Sequence, residues 1–338
     1  LAPSKTLIDR TTPLLRARIR AVFQHLPKAL AGDEEAIHQM RVSGRRLRVA
    51  LPLLARKPEG RRVRRALSIL REIRTAAGAS RDLDVGVALF EERVSGLETP
   101  AAEVRTLLQR LRSARARSRA RMAEALMDLE IARLRRHLRR VLSRRGEGLF
   151  PVLLRLGQER DARGGALLAA LAWLGDDYDP EALHRLRIGA RRLRYMAETS
   201  EALKGTPAEA SALFKDVQER LGTIRDAYVL SAWLGRQAEA ARSRGRQALA
   251  AEASAQQAWF LELSRSHHLA FLEADVAGIV MRGLEALGAS AASFPERPAG
   301  RAYNANRDMP RAERSLPDAS PDHSTRDRRA PGNPGHSG

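Results

Sequence analysis

The chain of 338 residues contains no cysteine. That excludes disulfides, thiolate metal sites and cysteine nucleophiles. Aromatic residues make up only 4%, and none alternate with basic residues in the way a base-stacking platform requires. Single-stranded nucleic-acid recognition by stacking is therefore disfavoured. The longest strongly apolar run, Ala166 to Leu174, is too short to span a bilayer, so no membrane insertion is expected. Runs of Val, Ile and Thr with period two are missing, which removes the signature of strands. No cleavable signal pattern is visible, and the first residue is Leu1 rather than Met. A soluble, cytoplasmic protein is expected.

Acidic residues are outnumbered. Sixty Lys and Arg face forty Asp and Glu, a formal charge of +20. Such a field selects polyanionic partners: nucleic acid, an anionic membrane surface or polyphosphate. Most of the basic residues are arginine. Its planar fork binds phosphate oxygens in pairs and keeps its charge at any accessible pH.

One basic segment occurs twice. Ile37-His38-Gln39-Met40-Arg41-Val42-Ser43-Gly44-Arg45-Arg46-Leu47-Arg48 returns 146 positions later as Leu183-His184-Arg185-Leu186-Arg187-Ile188-Gly189-Ala190-Arg191-Arg192-Leu193-Arg194. On a helix with His38 at zero, Arg41, Arg45 and Arg48 fall at about −60°, −20° and −80°. Arg46 lies at about +80°, on the flank, while Met40, Leu47, Leu51 and Leu54 fall at about 160–220°. One face therefore packs and the other presents fixed positive charge. Ser43-Gly44 and Gly189-Ala190 border the apolar faces, where small side chains would let a partner helix come close.

In chain order, Thr11 or Thr12 with Pro13 starts a helix that runs to about Leu30. Asp33-Glu34-Glu35 opens the first basic helix, which ends near Arg56. Arg61 to Ala77 is a third, also basic, and Arg81-Asp82-Leu83-Asp84-Val85 starts a fourth that reaches Ser95. A long helical region from Ala101 to Arg145 is expected to break near Arg119. Phe150 to Leu174 is expected to break between Asp161 and Gly165. Asp179-Pro180 caps the second basic helix, which runs to Lys204. The next helix is expected to end near Gly222, with Arg225-Asp226-Ala227-Tyr228-Val229 starting another. A last helical stretch covers Ala251 to Leu287. From Ser293 the composition turns to Pro, Gly, Asn, Ser, Arg and Asp, the signature of disorder. This tail holds eight Arg against six acids, so the excess charge resides in the helical body.

A plainer interpretation of the basic helices is a solvated charged face. Against it, the charges are of one sign on one face and recur with the same spacing. Like charges so placed repel unless an anion offsets them. His38 and His184 lack a metal partner one turn on, since Val42 and Ile188 occupy those positions, and neighbouring guanidiniums oppose a cation. Phosphate donation suits the two histidines better, with a bound polyanion raising their pKa. His267-His268 are read as incidental. Asp82 and Asp226 are read as caps or as orienting groups for a nearby Arg rather than catalytic acids. Tyr195, Trp173, Trp233 and Trp259 are assigned to the core or its boundary.

The paired His-x-x-Arg…Arg-Arg-Leu-Arg segments and the paired segments at Arg81-Asp82 and Arg225-Asp226 resemble the CHAD (conserved histidine α-helical domain) family over about residues 10–290. The resemblance implies an all-α fold of two pseudo-symmetric four-helix bundles around a basic central groove or pore. The domain would cover 1–292, with repeat halves of about 10–120 and 121–292, followed by the tail at 293–338. It also implies binding of inorganic polyphosphate and association with polyphosphate granules. By position, the binding residues would be His38, Arg41, Arg45, Arg46, Arg48, His184, Arg187, Arg191, Arg192 and Arg194, with Arg71, Arg74 and Lys215 as weaker candidates. The Glu-x-Glu-x-Lys motif of the triphosphate-tunnel domain found in some members does not occur here, so triphosphatase activity is not implied. The expectation is a non-enzymatic binding module without metal or cofactor. The alternatives are a nucleic-acid-binding protein using phosphate contacts and a phosphohydrolase.

Overall fold

Apolar residues at helical spacing, bounded by Asp, Gly and Pro, form eleven α-helices among the described residues. The computed structural model describes residues 10–289 apart from 77, 143–148 and 175. The helices are α1 (Thr11–Leu30), α2 (Glu34–Leu54), α3 (Arg61–Ala76), α4 (Gly78–Ser95), α5 (Ala102–Met127) and α6 (Ile131–Leu142). There follow α7 (Leu149–Leu174), α8 (Pro180–Lys204), α9 (Glu209–Arg242), α10 (Gln247–Glu273) and α11 (Val276–Ala286). No strand occurs among the described residues, and the fold is all-α. No helix of this part is long and apolar enough to cross a membrane. The tail expected at 293–338 lies outside the described residues.

Several expected boundaries differ. The break after α5 falls at Asp128–Glu130 rather than at Arg119. Arg119 instead ties mid-helix α5 to its neighbours, donating to Asp84 at 2.6 Å and to Glu34. Helix α7 runs unbroken through Asp161–Gly165, because Gly164 is a crossing point. A Cβ there would lie 2.7 Å from Leu284 Cδ2 of α11, so glycine permits the approach. Helix α9 likewise continues through Gly222 and Asp226, where buried Leu221, Ile224 and Ala227 bind it to the core. The last stretch divides in two, with Asp275 capping α11 by accepting from Gly278 N.

Buried apolar residues form two cores. The larger draws on α1, α2, α3, α6, α7, α8 and α11 with the ends of α5, α9 and α10. The smaller gathers α4 and α5 (Phe90, Leu107, Leu111) with α9 and α10 (Leu234, Phe260). Each core therefore mixes helices from both sequence halves. Trp233 and Tyr195 are buried, while Trp173 and Trp259, expected in the core or at its boundary, are exposed. His268, read as incidental, is a core residue at 1% exposure with its ring edge-on to Tyr178.

A candidate anion-binding site between α2 and α8

Caps set the rotational phase of both basic helices. Asp33 Oδ1 accepts from Ala36 N at 2.7 Å to start α2. Asp179 Oδ1 accepts from Glu181 N and Ala182 N to start α8, with Pro180 in the first turn. Gly205, at φ 72° in the left-handed region, ends α8. The apolar backs then bury as the spacing requires. Met40, Leu47, Leu51 and Leu54 on α2, and Leu186, Ala190 and Leu193 on α8, are all within 2% of full burial. The two helices pack on each other.

The small residues beside those backs behave unequally. A Cβ on Gly189 would touch Leu167 of α7 at 3.3 Å, so that helix pair is close. A Cβ on Gly44 would meet nothing within 4 Å, and the expected close approach is absent there.

The charged faces converge. Arg45 lies within electrostatic reach of His38, Arg41 and Arg48 on its own helix and of Arg187 and Arg191 across the interface. Arg71 and Arg74 of α3 join Arg48, and Arg192 of α8 acts on both Arg48 and Arg74. Arg81 of α4 stands near His38, and Arg225 of α9 near His184. Five helices thus meet in one basic region, and α2, α3 and α8 bring ten of the thirteen expected residues into it.

Burial and mutual repulsion act together there. Burial, then Arg45, pulls Arg41 down to about 10, with Asp82 opposing. Burial, then Arg74, Arg71 and Arg192, pulls Arg48 to about 10. Burial, then Arg45 and Arg187, pulls Arg191 to about 9. All three remain cations at neutral pH. None of Arg41, Arg45, Arg48, Arg74, Arg187 and Arg191 forms a salt bridge among the described residues. The Nε groups of Arg45, Arg74 and Arg187 and Nδ1 of His184 are buried without a hydrogen-bond partner. Buried donors left in that state cost free energy, about 1–3 kcal/mol each and more for charged groups. An anion would supply the missing acceptors.

Asp82 and Asp226 do not cap helices. Helix α4 begins at Gly78, and Asp226 sits inside α9. They face the cluster instead, Asp82 acting on Arg41 and both acids on Arg187. Burial raises the Asp226 carboxyl despite Arg187, and Asp82 adds to the rise. These acids offset part of the repulsion among the inner guanidiniums.

Three expected residues stand apart. Arg46 donates Nε to Glu198 Oε2 at 2.7 Å and Nη2 to Oε1 at 3.1 Å. Arg194 donates to the same carboxylate at 3.2 Å, and Arg18 of α1 approaches it at 3.9 Å. Glu198 therefore clamps α1, α2 and α8 together, and Arg46 and Arg194 are already committed. Lys215 is exposed and pairs with Glu219 one turn on, at 3.3 Å. Residues not foreseen for the site are Arg81 and Arg225, which the repeated Arg-Asp pairs could have signalled, and Glu198.

His184 offers a direct probe. Burial, then Arg225 and Arg187, lowers it to about 4. Its folded value lies below the unfolded one, so between pH 4 and 6.5 the unfolded chain binds more protons and stability falls as pH falls. A polyanion beside the ring acts in the opposite direction. An imidazole NMR titration should give a midpoint near 4 in the free protein, moving up toward the ordinary histidine range with polyphosphate bound. A midpoint that does not move would place the anion elsewhere.

The protein is an all-α helical domain in which two phased His and Arg segments lie on helices that pack on each other. The CHAD domain family matches residues 13–235, a span that includes both His segments and both Arg-Asp pairs. The chain belongs to the CHAD domain family. Two uncharacterized proteins of Mycobacterium tuberculosis strains are 28% identical over 246 residues, covering 67% of this chain and 46% of theirs. The chain thus spans about half the length of the curated relatives it matches. The crystal structure of the CHAD domain from the plant Ricinus communis superposes with a TM-score of 0.58 at 23% identity, covering 85% of this chain and 94% of that one. At that identity the likeness is one of fold.

Proposed function

We propose that this protein binds inorganic polyphosphate between α2 and α8 and carries out no chemistry on it. The observation that carries the proposal is a set of guanidiniums on facing helices, free of salt bridges and part-buried, with unpaired buried donors among them. A linear phosphate chain offers closely spaced acceptors along one line and needs no base pocket. Helices that pack directly have axes about 8–10 Å apart, so donors recessed between them suit a thin chain better than a duplex. Tyr195 is buried beneath Arg46 and Arg194 at the Glu198 clamp, where it cannot stack on a splayed base. Binding would carry the protein to polyphosphate granules. The nucleic-acid alternative gains no specific support from the site's shape.

The test is competition at fixed physiological salt between long-chain polyphosphate and duplex DNA or RNA, compared at equal phosphate concentration. Polyphosphate should displace nucleic acid and resist displacement. The reverse order would sink the proposal. Affinity should also fall steeply with salt. Five neutralised phosphates on a flexible single chain correspond to a log–log slope of about −3.5. Incubation with polyphosphate and Mg²⁺ or Mn²⁺ should leave chain length unchanged. Shortening that disappears in His38→Ala would replace the binding module by an enzyme.

A further inference from the structure

Helix α7 is apolar on two sides. Its buried residues, Val152, Leu156, Gly164, Leu167 and Leu174, point one way into the core. On the opposite side of the helix lie Phe150, Leu154, Ala162, Gly165, Ala169 and Ala172. Phe150 is 76% exposed and Leu154 54%. The polar residues on that side are Gln158 and Asp161, and Asp161 accepts from Arg160 at 2.7 Å. Arg155, on the flank, turns inward and donates to Leu53 O at 3.0 Å. A helix apolar all round belongs in an interior, so the outer face of α7 lacks the cover its composition calls for.

Charge selects the occupant. Helices α3 and α5 carry six and seven Arg against one and two Glu. In α7 three Arg face two acids, and each is answered within the chain: Arg160 by Asp161, Arg163 by Glu159 at 2.5 Å, and Arg155 by the carbonyl. Two copies of a chain at +20 repel over most of their surface. On α7 they can meet without opposing like charges. The face also fits itself. With two copies antiparallel about a twofold axis between Asp161 and Ala162, Leu154 of one falls against Gly165 and Ala169 of the other. Phe150 falls against Ala169 and Ala172, and Asp161 against Ala162, so large meets small and the acid meets no acid.

We infer that the outer face of α7 pairs with α7 of a second copy of this chain in an antiparallel dimer. This pairing is independent of the polyphosphate proposal. Each copy contributes a strip about 39 Å long and about 12 Å wide with side chains. The two strips bury about 900 Å² in all, the size of a weak and reversible interface. Screening reduces the repulsion between the copies and leaves the apolar contact intact. Added salt therefore tightens the dimer, the opposite of its effect on polyanion binding.

The experiment is sedimentation equilibrium of the full chain over a concentration series at about 0.05 and about 0.3 M salt. Wild type should dimerise, about threefold or more tightly at the higher salt. Leu154→Arg, which sets like charges on the face, should weaken the dimer about tenfold or more. Leu269→Arg, at a position on α10 that is 57% exposed, should change it less than about twofold. Far-UV circular dichroism verifies that each variant is folded. Because the chain has no cysteine, Ala162→Cys beside the axis should give a disulfide-linked dimer under mild oxidation, and Leu269→Cys should not. A wild type that stays monomeric throughout leaves the face to a different occupant and overturns the pairing. Equal weakening by the two Arg substitutions, or equal cross-linking from the two Cys substitutions, would overturn it as well.

Discussion

Arg45→Ala combined with Arg191→Ala should lower affinity for long-chain polyphosphate by about 100-fold or more, with helicity unchanged. Both residues lie at the centre of the region, and each acts on the other across the α2–α8 interface. A hydrogen bond to a charged group contributes about 1.5–3 kcal/mol. Two lost guanidiniums thus correspond to about 3–6 kcal/mol, at about 1.4 kcal/mol per tenfold. The free protein should respond in the other sense. Neither Arg45 nor Arg191 has a salt bridge among the described residues, and burial and repulsion pull Arg191 down to about 9. Removing such charges relieves the empty state, so the ligand-free melting temperature should not fall. A site tuned for a ligand at the expense of stability behaves this way. Calorimetric titration, circular dichroism and thermal melting read the three quantities on the same samples. Unchanged affinity would locate binding elsewhere, and a large drop in melting temperature would mean that these arginines are structural.

Glu198→Gln should do the converse, destabilising the fold while leaving the inner cluster's own charges in place. The Glu198 side chain is 13% exposed and answers Arg46, Arg194 and Arg18 at once. Breaking a buried ion pair by removing one partner costs about 3–5 kcal/mol. The Arg46 side chain is 33% exposed, so water screens part of this and about 2–3 kcal/mol is expected. For a domain of this size that lowers the melting temperature by about 4–10 °C. The hydrogen bond to Glu198 also raises the Arg46 pKa, so the carboxylate is most valuable while ionised. A melting temperature within about 1 °C of wild type would show that the clamp does not hold α1, α2 and α8 together.

The two clusters divide the arginines in a way the sequence half reveals. Helical angles alone put Arg41, Arg45 and Arg48 on one face with His38 and left Arg46 at about +80°. It was the family resemblance that drew Arg46 into the binding set. In the structure its flank position lets it reach Glu198. Arg194 has the same register as Arg48 but a different fate, because Glu198 lies one turn beyond it and Pro52 occupies the matching place in α2. That pair at i and i+4 was legible, and it breaks the single-sign pattern attributed to both helices.

Other features depend on contacts between segments far apart in sequence. Gly164 and Gly222 read as helix breakers because glycine disfavours helix interiors. What overrides that preference is tertiary: Leu284 packs against Gly164, and buried neighbours hold α9 through Gly222. Nothing local announces that Arg71 and Arg74 of α3 meet Arg192 of α8. The mixing of both sequence halves in each core is equally a matter of long-range packing.

A structure of the protein with polyphosphate bound tests the central claim most directly. Phosphate oxygens should lie within hydrogen-bonding distance of Arg45, Arg187 and Arg191, with His184 Nδ1 no longer unpartnered and the Arg46–Glu198 pair unbroken. Phosphate found instead over the exposed arginines of α6, such as Arg135, Arg136 and Arg139, with the α2–α8 cluster unchanged, would contradict it.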